Sequence, residues 1–475
     1  MVIQLEDRKA RGGKAAELPR DVEVLVVGGG NAGICAAISA AEGGAQVVLL
    51  EGADAATRGG NSKYTRNVRC ASQEYPEEEL LRDLISVTGK QIDLDLAAFT
   101  IGQSRELPKW MGKHGIRWQA PLRGTLQLGR TNHFFLGGGK ALLNTYYRYA
   151  AALGVTVEYG TRVTDVIVDG NQLKGVCVLQ GEKEGFIHTR ALVAASGGYE
   201  ANLEWLGQGW GSAANNFIVR GTRENDGRLL SALLELGAEK RGNPRGFHAT
   251  AVDARSPQYD GGIVTRVDSI PLGVVVNRNG ERFYDEGEDI WPKRYAIWGK
   301  LIAEQPGQVA FSIFDSQAHG EFVPACYPPH CAESIEQLAR ELELDDAVLR
   351  ETIDKYNKHV VPSPYDRTRL DGLGTRGLAP QKSNWARRID KPPYYAYAVR
   401  PGITFTFLGV KVDQAARVIC TNGEALPGIF AAGEIMAGNV LTNGYLAGFG
   451  MTIGTTFGRL AGEGAAHYAR RRPTV

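Results

Sequence analysis

The alternation of apolar and polar positions opens on a short strand, VEVLVV at 22–27. Glycines follow at once, then a helix whose alanines at 32, 36, 37, 40 and 41 keep one side slim. A second apolar run, QVVLLE, ends at Glu51. Short apolar runs bounded by turn residues predict buried parallel strands with helices packed on them. ALVAASGG at 191–198 and GIFAAGE at 428–434 repeat the strand-then-glycine pattern, so the chain returns to its first layer after a long excursion. Before the first of these, at 150–190, VTVEYG, RVTDVIVDG and QLKGVCVL predict a small sheet of short strands; between the two, residues 333–360 predict a mostly charged pair of surface helices. A chain of 475 residues is too long for one core. The expected layout is α/β: a tail at 1–20, a nucleotide domain at 21–243 and 400–475, and an inserted α+β cap at 244–399.

Gly28, Gly30 and Gly33 fit G-x-G-x-x-G between the first strand and the helix that begins near Asn31 and Ala32. The first glycine permits the turn, the second admits a pyrophosphate against backbone, and the third lets helix lie on strand. The helix N-terminus then offers free N–H groups to phosphate. Glu51 ends the second strand, where a carboxylate can accept hydrogen bonds from an adenosine ribose. Strand, glycines, helix, strand and acid in this order predict a Rossmann-type dinucleotide site; a glycine-rich turn alone leaves the acid to chance. NAD and FAD share that unit.

The formal charge of +1, from 54 basic and 53 acidic residues, gives no support to nucleic-acid binding. The blocks at 387–388 and 470–472 read as solvated surface and tail. Six cysteines at 35, 70, 177, 326, 331 and 420 contain no CxxC, so neither an iron–sulfur cluster nor attached haem is expected. Cys326, His330 and Cys331 lack a second ligand pair and read as loop residues, with no metal expected. The first twenty residues lack the apolar core of a signal peptide, and no run of 18 apolar residues exists. A cytoplasmic protein is expected.

Several longer segments resemble the flavoprotein family of fumarate reductases, succinate dehydrogenases and 3-ketosteroid dehydrogenases. They are the fingerprint with Glu51, GGNS, ASGGY, the NDG at 225–227, VVNRNGERFYDE at 275–286 and GE…TFGRLAG at 433–462. GGNSKYTRNVRC, RTNHFFLGGGKALLNTYYR, RPGITFTFLGVKV and GEIMAGNV resemble its tricarballylate dehydrogenase branch. The resemblance implies FAD and a cap closing over the flavin. Carried onto this chain, it implies a cofactor wall of Gly28, Gly30, Asn31, Ala32, Gly33, Glu51, Gly52, Arg58, Gly59, Gly60, Asn61, Ser62, Thr65 and Val163. Ser196, Gly197, Gly198, Asp226, Gly433, Glu434, Gly448, Gly450, Met451 and Thr452 complete it. Some relatives bond flavin to a histidine just after the glycine pair; here Asn61-Ser62-Lys63-Tyr64 holds none, so FAD is expected to be non-covalent.

The family's HHTMGG segment corresponds to Thr404–Gly409 and its GANRLGG to Leu441–Leu446, so a substrate histidine and an arginine are missing here. Arg294 falls a few residues after the family's proton-transferring arginine, and Tyr445 matches the ketosteroid enzymes' tyrosine. The cations that suit a carboxylate are Arg66, Arg69, Arg130, Arg294 and Arg400, with Arg130 and Arg400 expected to clamp it and Arg294 or Tyr445 to handle the proton. His133 and His248 are candidates to bind substrate or relay protons. Each of these has a plain structural rival: an ion pair for an arginine, a core or loop position for a histidine, an OH on backbone for Tyr445. Gly137–Gly139 precede a helix and either face an anion or form a loop beneath the flavin. The leading expectation is oxidation or reduction of a C–C bond beside a carboxylate in a small polycarboxylate, with a separate electron-transfer partner, at a membrane or free of one. The alternatives are an uncharged ring ketone, and a flavin-binding subunit without a substrate of its own.

Overall fold

The computed structural model describes residues 21–120, 128–170 and 172–471; the expected tail at 1–20 lies outside them. Strand β1 (Asp21–Val27) is buried from Val24 to Val27 and pairs in parallel with β2 (Val47–Glu51) and with Lys183–Ala194. Ala425–Ala431 joins beyond Lys183–Ala194, and Thr156–Tyr159 beyond β2. Helix α1 (Asn31–Glu42) links β1 to β2, as the glycine spacing predicts. Thr161–Asp169 and Gln172–Gln180 extend the sheet as an antiparallel meander. Of the short strands expected at 150–190, the first therefore joins the parallel sheet.

The last helix, Phe449–Arg470, lies along α1. A Cβ on Gly458 would come within 2.4 Å of the Ala32 carbonyl oxygen, and one on Gly462 within 2.2 Å of that of Ala36. Small residues on both helices are thus what allows the backbones to meet. This contact fixes the N-terminus of α1 from behind.

A second sheet is built on two long antiparallel strands, Lys240–Asp253 and Tyr394–Val410, with Ala310–Asp315 and Val274–Asn277 beyond them. The ladder runs from Lys240 opposite Val410 to Asp253 opposite Val399, so both expected domain boundaries fall inside these strands. A ladder continues wherever backbone groups pair, whatever the side-chain composition. Helices Ile335–Glu341 and Asp346–His359 carry N-caps on Ser334 and Asp345. Their apolar stripes pack Leu338, Leu349 and Ile353 against Val274, Val276 and Ile313. No helix among the described residues is long and apolar enough to cross a membrane.

Candidate FAD cleft and reaction centre

The C-terminal ends of the parallel strands open onto a cleft of about 1210 Å³, where ligands of open α/β sheets bind. Eighteen of the expected cofactor residues line it; Gly33, Arg58, Gly59, Gly198, Gly448 and Thr452 stand behind it. Each of those six has a structural task. A Cβ on Gly33 would overlap the Gly28 carbonyl oxygen, and one on Gly198 would meet Thr406 Oγ1 at 2.1 Å. The Gly59 N–H donates to Glu51 at 3.0 Å. Arg58 bonds the Ala55 carbonyl and Asn144 and covers the Tyr147 ring. Gly448, at φ +86°, turns the chain into the last helix, and the Thr452 hydroxyl donates to the Arg69 carbonyl.

The residues facing the cleft suit FAD. A Cβ on Gly30 would meet nothing closer than Ser62 Oγ at 3.5 Å, so the backbone there is open to the cleft. Asn31 N–H donates to Ser62 Oγ at 2.9 Å, which locks the GGNS segment to the start of α1. Glu51 accepts N–H bonds from Ala53 at 2.9 Å and Gly59 at 3.0 Å, leaving lone pairs for ribose hydroxyls. Burial raises its pKa and those two N–H groups lower it. No histidine lines the cleft among the described residues. Gly137–Gly139 pack beneath GGNS: Gly139 N–H donates to the Thr65 carbonyl at 2.7 Å, so that N–H is not open to an anion.

Four motifs separated in sequence meet at one buried carboxyl pair. Glu200 Oε1 accepts from Asn61 at 2.5 Å and Asn225 at 2.6 Å, while Glu434 Oε1 accepts the Thr406 N–H at 2.6 Å. Both carboxyls are buried and contact each other, and burial raises both pKa values, Glu434 the more. Glu200 Oε2 has no donor unless Glu434 carries a proton. Burial of both carboxyls side by side thus disfavours two charges there and favours a proton on the pair.

Beside the cleft, Tyr445 leads into a cluster of cations and phenols. Tyr445 lines the cleft, accepts the Gly450 N–H at 2.8 Å, and packs on His248 with ring centroids 4.2 Å apart. His248 Nε2 lies 3.1 Å from the Tyr295 hydroxyl. Burial first, then Arg220 and Arg266, depress the His248 pKa well below its usual value, so the ring is neutral. Burial raises the Tyr295 pKa, while Arg266, Arg220, Arg66 and Arg69 oppose the rise. The Arg266 guanidinium stands 5.0 Å from the Tyr295 ring and pairs with Asp268 at 2.6 Å, but its Nε has no acceptor. Arg220 is buried with only Thr404 Oγ1 at 2.9 Å and Thr250 Oγ1 at 3.3 Å as side-chain partners. Among the described residues no carboxylate pairs with it, and burial lowers its pKa to about 10.

Of the expected catalytic residues, Tyr445 and His248 meet here, and the others do not. Arg130 forms a forked pair with Glu79, at 2.5 and 3.1 Å, and donates to the Glu74 carbonyl at 2.7 Å. Arg294 pairs with Glu288 at 3.0 Å; the next residue, Tyr295, is the one that enters the cluster. Arg400 sits on Tyr394–Val410 opposite Val252, five residues along the strand from cleft-lining Phe405, roughly 16 Å at strand rise. His133 packs on Trp118, with ring centroids 5.5 Å apart. Arg130 and Arg400, expected to clamp a carboxylate, thus stay outside the cluster, and the guanidiniums gathered around Tyr295 are those of Arg220, Arg266 and Arg66. Neither Arg220 nor Arg266 lies in a recognisable motif; pairing of Ile218–Val219 with residues 402–403 carries Arg220 inward.

The family described as FAD binding domain matches residues 23–451. A probable fumarate reductase of Shewanella frigidimarina (strain NCIMB 400) is 27% identical over 96% of this chain and 76% of its own. A urocanate reductase of Eggerthella lenta is 25% identical over 95% of this chain and 76% of its own. The fold is that of an open-form flavocytochrome c3 fumarate reductase, with a TM-score of 0.73 and 24% identity over 95% of this chain and 79% of that one. It is also that of a 3-ketosteroid dehydrogenase from Rhodococcus jostii RHA1, with a TM-score of 0.73 and 22% identity over 95% of this chain and 98% of that one. Fingerprint, cleft and family match lead to one conclusion: the chain belongs to the FAD-binding flavoprotein family of fumarate reductases and succinate dehydrogenases, FAD-dependent oxidoreductases of CH–CH bonds.

Proposed function

We propose that this enzyme forms or reduces a C=C bond beside a carboxylate in a small di- or tricarboxylate. The observation that carries this reading is Arg220, a buried guanidinium with no carboxylate partner among the described residues, next to the unbonded Nε of Arg266. A buried, uncompensated charge costs about 3–5 kcal/mol, which an arriving carboxylate offsets with paired charge-assisted bonds. Bound in the cleft, FAD supplies hydride transfer. The chain's own residues position and protonate. Arg220, Arg266 and Arg66 hold the carboxylates, fixing the reacting carbons. The Tyr295 hydroxyl, held by neutral His248, gives or takes the proton on the carbon beside the one that exchanges hydride, and the surrounding guanidiniums stabilise its phenolate. Tyr445 orients His248 and faces the flavin side. Fumarate, cis-aconitate and tricarballylate all present suitable carboxylates, and tricarballylate is the finer proposal. Reoxidation falls to a separate electron-transfer protein.

The test is anaerobic: fumarate and cis-aconitate are added to reduced enzyme, succinate and tricarballylate to oxidised enzyme, with a steroid enone as uncharged comparison. Flavin absorbance should change with at least one carboxylate and not with the enone. A response to the enone alone would establish the uncharged-substrate reading instead. The buried arginines argue against a flavin-binding subunit with no substrate.

A further inference from the structure

The cap holds a second cavity, about 930 Å³, lined by Leu272, Trp291, Phe322, Val323, Arg367 and Trp385 among others. Its aromatic walls are fixed edge-on. Trp291 Nε1 donates to Asp268 Oδ1 at 2.7 Å, and Trp385 Nε1 donates to the carbonyls of Asp366 and Arg369 at 3.1 and 3.0 Å. With their polar edges satisfied, the two indoles, each 5% exposed, present carbon and no unbonded N–H to the cavity. Trp385 itself has φ +56°, an uncommon conformation for a bulky residue, held by its N–H, which donates to the Asp371 carboxylate at 3.0 Å. Val323 lines the cavity and is 48% exposed, so it connects the cavity with the surface.

The charges on the lining select the ligand's sign. Asp268 is matched by Arg266, and Glu321 by Arg387 at 2.8 Å and the Tyr365 hydroxyl at 2.6 Å. Arg367 donates only to the Glu321 carbonyl at 3.1 Å, and among the described residues no carboxylate pairs with it. The cavity thus combines aromatic walls with one unmatched guanidinium. We propose that it is an accessory binding site for a planar aromatic carboxylate, with the ring between Trp291, Phe322 and Trp385 and the carboxylate on Arg367. Asp268 separates this site from the reaction centre and holds Arg266, so the two sites share a wall and not a ligand.

Calorimetry on the FAD-loaded enzyme tests this with 2-naphthoate as the probe. One saturable site is expected, with cyclohexanecarboxylate and neutral 2-methylnaphthalene each binding at least tenfold more weakly. Arg367→Gln and Val323→Trp, both on the rim, should weaken 2-naphthoate at least tenfold while flavin absorbance stays normal. Arg220→Gln and saturating fumarate should leave it unchanged, which separates failure here from failure of the proposed reaction site. No saturable binding, or wild-type affinity in both rim variants, overturns the proposal. Loss of binding with Arg220→Gln or fumarate overturns it too, by placing the probe in the reaction cleft.

Discussion

Arg220 is held in place by two threonine hydroxyls and has no carboxylate bonded to it among the described residues, so its replacement separates binding from stability. In Arg220→Gln, KM for the carboxylate should rise at least tenfold and turnover should fall. Thermal stability without substrate should stay within about 1 kcal/mol of wild type or exceed it, because a costly buried charge is gone. A large loss of stability would mean that the charge is compensated internally. Tyr295 and Tyr445 both pack on the His248 ring, and their roles separate just as cleanly. Tyr295→Phe removes the proton carrier, so steady-state kinetics should show turnover down roughly 10²–10⁴-fold with KM little changed. Tyr445→Phe loses an acceptor for the Gly450 N–H and should cost far less. Equal effects would reassign the proton to Tyr445. Arg294, one position before Tyr295, illustrates the limit of reading register from sequence: on a helix, adjacent residues point about 100° apart.

At the scale of elements, the contact between α1 and the last helix rests on absent side chains. Gly458→Ala gains up to about 1 kcal/mol in helix propensity. It also places a methyl 2.4 Å from a backbone carbonyl oxygen, and such overpacking costs about 1–3 kcal/mol because backbone cannot swing aside. The clash should win: Tm falls, and FAD binds more weakly as α1 shifts. A higher Tm would show that the helices part freely. The carboxyl pair joins GGNS, GGYE, NDG and GE into one unit, and its pH dependence has a definite sign. Both folded pKa values lie above the ordinary carboxyl value near 4.5. Their contribution is fully present below 4.5 and is lost as pH rises through the raised values, since the unfolded chain releases protons that the folded pair retains. Glu434→Gln keeps a donor for Glu200 without the titration, so Tm measured from pH 5 to 9 should decline less steeply than in wild type. Parallel profiles would place the proton elsewhere.

At the scale of the whole molecule, the cleft has no histidine among its described lining residues, and acid precipitation should release the flavin into the supernatant. Colour retained in the pellet would reveal a covalent link. Much of this molecule is determined by the sequence itself. The strand–glycine–helix–strand unit is local: φ at Gly28, the open backbone at Gly30 and the carboxylate at the end of β2 follow from neighbours within thirty residues. The same holds for the capped helices of the cap and the absence of a histidine after the glycine pair. The motifs near 60, 197, 226 and 434 are visible as motifs, but their meeting at Glu200 and Glu434 is a tertiary fact. The reaction centre is more so. Arg66, Arg220, Arg266, His248, Tyr295 and Tyr445 come from six separate segments, none with a distinctive local pattern except around Arg66 and Tyr445. Whether an arginine binds substrate or an internal carboxylate depends on which acid lies within reach. Arg130 meets Glu79 and Arg294 meets Glu288, while Arg220, just after the strand Ile218–Val219, pairs with no carboxylate among the described residues. Local backbone preference and apolar period are written residue by residue, but the pairing of charges is decided by packing across hundreds of residues, and only the tertiary structure makes that choice.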